Sequence, residues 1–383
     1  MINKIECLEI LPEDFDPLTY IRMNLDLEKA TEKMNSNEKI KFAKNHYLNY
    51  GKIERRKYLD LTKYIDMVQY LDSIGEDLTQ KNEEKIKNVM GTLNTKKKAY
   101  IHIGYGKTGT TAIQDFFYNN HNILKNNKIL YPLSTHNNGD LAIFPEDTEE
   151  TYKRKLNNYA SIINDMLNIE HNIVFISSEH LKYISNNLMV LIKNIFLNYD
   201  VHIIFNIRRQ IELLPSVFLQ IIRVNGFTFG KNIWEMHTNT AESGFNFNKL
   251  IAPWENVFGK SAIKASLYHP EIIGKDAVLH FLNILGINDP EFISKLHFES
   301  EYTNTSIHTL LANLLMVINK NKKLDNRSEI IEELLNVSKH IKHIKHSLFT
   351  PEQEAEIKKY YAESNAAFAD KYLTPREKEL LLS

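Results

Sequence analysis

Ala99–Phe117 reads AYIHIGYGKTGTTAIQDFF. A short apolar run passes into three glycines, a lysine and three threonines, and an amphipathic helical pattern follows. Gly104, Gly106 and Gly109 are three of only 13 glycines in 383 residues. A glycine-poor chain that concentrates glycine between a strand and a helix start brings its backbone close to a ligand there. Free N–H groups and the helix dipole at such a junction favour an anion.

Downstream, strand and helix patterns alternate. Expected strands are Tyr100–Gly104, Ile129–Tyr131, Ile173–Ser177, Val201–Ile207 and Ala262–Leu267. Between them the spacing predicts helices from about Thr110, over Lys153–Leu167, after a Ser185 cap, after the Val201–Ile207 strand to about Arg223, and over Lys275–Leu285. Residues 133–150 read as a polar loop, and the chain after Thr305 reads as helical. Alternation of this kind gives a parallel sheet flanked by helices, an α/β class in which ligands sit beyond the strand C-termini. Pro215 falls inside the helix after Arg208. Either that helix starts late, near Glu212, or it kinks.

Which anion the loop holds depends on its spacing. A nucleoside-triphosphate loop needs Gly-x-x-x-x-Gly-Lys-Ser/Thr. Gly106-Lys107-Thr108 supplies the end, but the leading position holds Ile101. Such enzymes also want an acidic magnesium partner at a strand end. Ile173–Ser177 and Val201–Ile207 contain neither Asp nor Glu. Both absences favour a shorter anion over a nucleotide kinase or triphosphatase. A second anion site is legible at Arg208, where a strand ends, with Ser216 eight residues later on the next helix. A guanidinium offers a planar fork to phosphate, and a hydroxyl can join it.

The stretch His102-Ile103-Gly104, Lys107-Thr108-Gly109-Thr110-Thr111 and Gln114 resembles the 5′-phosphosulfate loop of sulfotransferases that use 3′-phosphoadenosine 5′-phosphosulfate (PAPS). The HIG-x-x-KTGTT form resembles the bacterial carbohydrate type. The resemblance implies a sulfotransferase fold with a P-loop-like sheet, and PAPS held by Gly106, Lys107, Thr108, Gly109, Thr110 and Thr111. It also implies a 3′-phosphate site at Arg208 and Ser216, PAP as product, no metal, and a carbohydrate hydroxyl as acceptor. Lys107 would face the bridging oxygen. Matching strand ends puts Glu179 at the position of the catalytic base, with His180 beside it and His136 as an acceptor-site alternative. Asn304-Thr305-Ser306 resembles a loop over the nucleotide, and Tyr361–Tyr372 with Ser364 and Asn365 resembles the family's C-terminal helix. A silent nucleotide- or glycan-binding protein is a further alternative, against which the intact Lys107, Thr110, Arg208 and Ser216 weigh.

The rest of the chain bounds this reading. A net charge of −1 argues against a broad nucleic-acid surface. One cysteine, Cys7, excludes an intrachain disulfide and a cysteine-based metal cluster. No apolar run is long enough for a transmembrane helix. The acids in MINKIECLEILPEDFD oppose a secretory leader, so a cytoplasmic protein is expected, with peripheral membrane contact left open. His340, His343 and His346 recur every third residue and read as a wet helical face. Residues 1–96 read as a helical N-terminal module and linker, and residues 97–383 as the α/β domain. Phe15-Asp16-Pro17 with Tyr20, then His46-Tyr47-Leu48 with Gly51, Glu54 and Arg56, resemble a small module found beside bacterial polysaccharide-building enzymes. That resemblance points the acceptor toward a surface polysaccharide or its precursor.

Overall fold

The computed structural model describes residues 15–51 (16 and 23 apart), 97–132, 141–196 (145 and 146 apart), 199–224, 233, 234, 237, 244–298 (275 apart), 307–320 and 326–383 (342 and 345 apart). His136, Glu54, Arg56 and the Asn304–Ser306 stretch lie outside these residues. The chain divides into two compact units. One comprises residues 1–98, 143–172 and 184–200, and the other residues 99–142, 173–183 and 201–383.

The second unit carries the sheet, apart from Lys98 and Asp200, the first residues of two strands. Its strands are β1 (Lys98–His102), β2 (Ile129–Leu130), β3 (Ile173–Ser177), β4 (Asp200–Ile207) and β5 (Ile263–Leu267). They lie in the order β2-β3-β1-β4-β5. β2 and β3 are parallel, pairing Ile129 with Ile173, and β4 and β5 are parallel, pairing Ile203 with Ile263. β1 sits in the middle. Ser178 N donates to His102 O (3.0 Å) on one side, and Ile103 N donates to Ile204 O (3.0 Å) on the other. The ends of β3, β1 and β4 are therefore neighbours, which is what brings their following residues to one edge.

One face of the sheet is covered by α4 (Thr110–Asn119) and α9 (Ala277–Ile284). Ile113, Phe116 and Phe117 of α4 are buried with Phe175 of β3 and Phe281 of α9, and the Phe117 and Phe175 rings lie 4.4 Å apart. The opposite face is aromatic too. Phe205 of β4 meets Phe247, at the start of α8 (Phe247–Phe258), and Phe368 of α11 (Pro351–Tyr372), at 6.3 and 6.1 Å. α12 (Pro375–Leu382) follows. Its Glu377 is buried, accepting from Leu267 N (2.9 Å) and Ser266 Oγ (3.0 Å) at the end of β5.

Element boundaries depart from the sequence reading in instructive places. β1 runs over Lys98–His102, starting and ending two residues before the expected Tyr100–Gly104, so a lysine that looks like linker by charge opens a strand. The polar stretch before residue 150 already starts α5 (Glu149–Asn168), capped by Thr148, whose Oγ1 accepts from Thr151 N (3.2 Å). α7 (Gln210–Val224) does not start late: it begins at Gln210 and runs through Pro215. Ser185 caps α6 (Asn186–Ile195) as expected, accepting from Leu188 N (3.2 Å).

In the first unit, α1 (Pro17–Arg22), α2 (Leu25–Ala30) and α3 (Ser36–His46) enclose a small cluster of Tyr20, Ile21, Leu27, Ala43 and Tyr47. Tyr20 Oη and His46 Nδ1 are 2.9 Å apart. The aromatic residues of the polysaccharide-module pattern are thus the packing of this piece. A π-helical turn, Tyr47–Gly51, continues α3. Among the described residues, no helix is long and apolar enough to cross a membrane.

Candidate active site

The loop leaving β1 is zipped to β4 before it opens. Asn206 N donates to Gly104 O (2.8 Å), and Asn206 O accepts from Tyr105 N. Tyr105 O then receives two hydroxyls, Thr108 Oγ1 (2.6 Å) and Thr110 Oγ1 (3.2 Å). Both threonines are buried, so in this conformation their hydroxyls brace the loop, while Thr111 is exposed on the first turn of α4. Gly109 caps α4 at φ +81°, a left-handed value that costs glycine little. The first α4 ladder bond is Ile113 N to Gly109 O (3.1 Å), which leaves the preceding amides without a partner inside the helix. Such amides are the anion-binding element of a helix N-terminus.

Lys107 is half-buried, with φ 69°, a left-handed conformation that a residue with a side chain adopts only when its surroundings impose it. Burial and the positive charge of Arg223 pull its ammonium below the usual lysine value, as does Arg208, against the attraction of Glu179. Lys107 therefore feels the positive charges of Arg223 and Arg208 and the negative charge of Glu179.

Glu179 follows β3. Ser177 and Ser178 are buried, Glu179 is half-buried and His180 is exposed. A Cβ placed on Gly106 would lie 2.6 Å from Glu179 Oε2. The Glu179 carboxylate thus occupies the space a side chain at Gly106 would need. The structure brings Glu179, not His180, onto the glycine loop.

Behind the loop, His102 is fully buried on β1. Its Nδ1 lies 2.9 Å from Ser177 Oγ, and Gln114 Nε2 reaches the same hydroxyl (3.2 Å). Burial and the nearby Lys182 charge hold the His102 imidazole at about 3, so it is neutral at physiological pH. Its place is in the core beneath the loop.

After β4, Arg208 Nε donates to Glu212 Oε2 (3.1 Å) and Arg209 Nε donates to Glu212 Oε1 (2.7 Å). Burial pushes the Glu212 carboxyl up, but the two guanidiniums outweigh it and hold the group below the ordinary carboxylate range. Glu212 takes the Nε edge of Arg208 and leaves its Nη pair outside that bond. Ser216, half-buried, is four residues beyond Glu212 and so on the same face of α7. The start of α7 is fixed from α11, where Gln210 and Asn365 exchange two amide bonds of 3.0 Å. Ser364 donates to Asn246 Oδ1 (2.9 Å).

Sequence reasoning missed Glu212, Arg223 and Lys182. Glu212 was legible as an i+4 partner of Arg208. Nothing in the pattern marks Arg223 or Lys182, whose surroundings come from tertiary structure. His340 lies in the last turn of α10 (Arg327–Ile341), and His343 and His346 lie beyond it, so the three do not share a helical face; all are exposed. Among the described residues, no group of three or more His, Cys, Asp or Glu converges on one point.

No protein-family model matches the chain, and no curated protein matches it. Among solved structures, a sulfotransferase from Alicyclobacillus acidocaldarius is similar, at 13% identity and a TM-score of 0.35, over 52% of this chain and 89% of that one.

Proposed function

We propose that the protein is a PAPS-dependent sulfotransferase acting on a carbohydrate hydroxyl, with a surface polysaccharide or its precursor as acceptor. One observation carries the reading. The residues following three adjacent parallel strands supply a lysine-bearing glycine loop, a carboxylate against that loop and an arginine facing the next helix. The donor set suits the cofactor. First-turn amides that make no bond inside α4, with Lys107, favour the phosphosulfate end, and the Arg208 guanidinium with the Ser216 hydroxyl favours a second phosphate.

Bound there, PAPS would supply an activated sulfonate. The chain's own groups do the rest. Gly106, Thr108, Gly109 and Thr111 offer amides, and Thr108 and Thr110 keep the loop in shape. Lys107 concentrates positive charge where the departing phosphate gains negative charge. Glu179 accepts the proton of the acceptor hydroxyl at its carboxylate, with His180 as the runner-up. Arg208 and Ser216 hold the nucleotide's far phosphate, with Glu212 fixing the arginine's angle.

A thermal-shift titration with PAP, ATP and GTP tests the donor. Stabilisation by PAP at concentrations where ATP and GTP with magnesium do nothing is the expected result. Equal or stronger stabilisation by magnesium ATP would overturn the reading in favour of a nucleotide kinase or triphosphatase. A glycan screen with labelled PAPS then identifies the acceptor, and PAP binding without transfer to any glycan would leave a silent binding protein.

A further inference from the structure

Lys182 is a lysine where lysines are rarely found. It lies in the 3₁₀ turn Leu181–Tyr183, three residues after Glu179, and only 7% of it is exposed. Its Nζ curls back to donate to Glu179 O. The same atom lies 4.7 Å from the Tyr105 ring centroid and 4.4 Å from that of Tyr183. Both distances are within cation–π range. Tyr105 belongs to the glycine loop, and its hydroxyl is anchored to Gly244 O. One ammonium therefore touches the turn that presents Glu179 and the loop that presents Lys107.

Burying an ammonium is costly unless it is well held. The holders here are a carbonyl and two ring faces, which fix position and compensate only in part. We propose that Lys182 is a positioning residue that ties the Glu179 turn to the glycine loop, setting where the carboxylate stands against Gly106. The catalytic part of this proposal rests on reading Glu179 as the base; the mechanical part does not.

The groups facing Lys182 are Glu179 from its own turn, Tyr183 beside it, Tyr105 from the loop and His102 from β1. Tyr105 is pushed well above the usual tyrosine range, mainly by burial, and His102 is held at about 3. Neither titrates near neutrality. Burial pulls Lys182 down to about 8, against the attraction of Glu179. Its clamp is therefore charged at pH 7 and discharges as pH rises through about 8. The folded value lies below the unfolded one, so stability rises with pH between the folded value of about 8 and the ordinary lysine value of 10.5.

The test uses the full chain with Lys182→Met and Lys182→Arg. Amide hydrogen exchange at pH 7 should quicken by about tenfold or more over both Ser178–Leu181 and Gly104–Gly109 in Lys182→Met, and return toward the parent in Lys182→Arg. The rise in melting temperature between pH 8 and 10 should be smaller in Lys182→Met than in the parent. Unchanged exchange in both segments, or quickening confined to the turn, overturns the tie between turn and loop whatever reaction the protein catalyses. For the catalytic part, PAPS cleavage to PAP with water as acceptor is followed in a cycle with Glu179→Gln. The Lys182→Met loss should largely vanish in the Glu179→Gln background. The parent rate should begin to fall at about pH 8, and Lys182→Arg should show a smaller or later fall, the part left to Lys107. An equal loss in both backgrounds means that Lys182 does not act through Glu179. A parent rate indifferent to Glu179→Gln sinks the base assignment instead, and the exchange result still decides the tie.

Discussion

The two ends of the candidate site, each proposed to hold an anion, are built on different principles. The glycine loop is a backbone device. It is zipped to β4 through Asn206, braced by two threonine hydroxyls on a single carbonyl, and wedged by the Glu179 carboxylate where Gly106 has no side chain. The Arg208 end is a side-chain device. A partly exposed guanidinium is steadied by Glu212, itself shared with Arg209. The first arrangement has few ways to relax and so suits the reacting bond. The second can adjust, which suits holding a part of the ligand that does not react. Changes in the loop should therefore damage turnover, and changes around Arg208 should damage binding.

The sharpest separation is expected from Glu179→Gln, which removes the proposed proton acceptor and keeps the shape. Sulfonate transfer should fall by about 10²–10⁴, with PAP affinity by calorimetry unchanged; retained activity would move the base to His180 or His136. Lys107→Met should cost about 10²–10³ in turnover and less in PAP affinity, measured by single-turnover assay beside calorimetry. An equal loss in both would erase the contrast between the ends. Gly106→Ala forces a Cβ into the space of Glu179 Oε2, and a displacement of about 1 Å at the reacting groups costs about 10². Its readout is kcat, with a melting scan to verify folding.

Arg208→Ala should act on the other observable. Losing hydrogen bonds to a charged group costs about 1.5–3 kcal/mol, so PAP binding should weaken by about 10–100-fold. Normal binding of both PAPS and PAP would falsify the second-phosphate assignment. Glu212→Gln is the mildest change. Ion pairs this exposed contribute about 0–1 kcal/mol, so PAP affinity should shift by less than about fivefold. Because Arg209 and Arg208 hold the Glu212 carboxyl low against burial, the parent keeps this contribution at neutral pH and loses it as pH falls through the lowered value. The substituted protein should lack that part of the acid-side loss in a pH-melting series.

The sequence made the framework legible where a single physical signal dominated. Ile173–Ser177 was read at its observed bounds because a buried parallel strand is a continuous apolar run with polar residues on either side. Thr110 was readable as a helix start because glycine and threonine punctuate it. The readings that failed are those where two signals competed. Lys98 looks like linker by charge and is strand by pairing. Pro215 allowed a late helix start near Glu212 or a kink, and α7 starts at Gln210 with the proline inside it. At the site, residue types and strand ends were enough to nominate Lys107, Glu179 and Arg208. That Glu179 packs against the loop while its neighbour His180 is exposed is visible only from the approach to Gly106. The burial of Lys182 depends on Tyr105, far away along the chain, and no local pattern contains it.

Glu377 gives the fold an order in time. The amide of Leu267, at the end of β5, finds its carboxylate acceptor 110 residues further along the chain. During synthesis β5 can pair with β4 long before residue 377 exists, so that edge of the sheet waits with an unmet donor while α11 is being made. The strand beside Arg208 is thus finished late, and ribosome-bound chains stopped short of residue 377 should resist protease over β1, β3 and β4 sooner than over the end of β5.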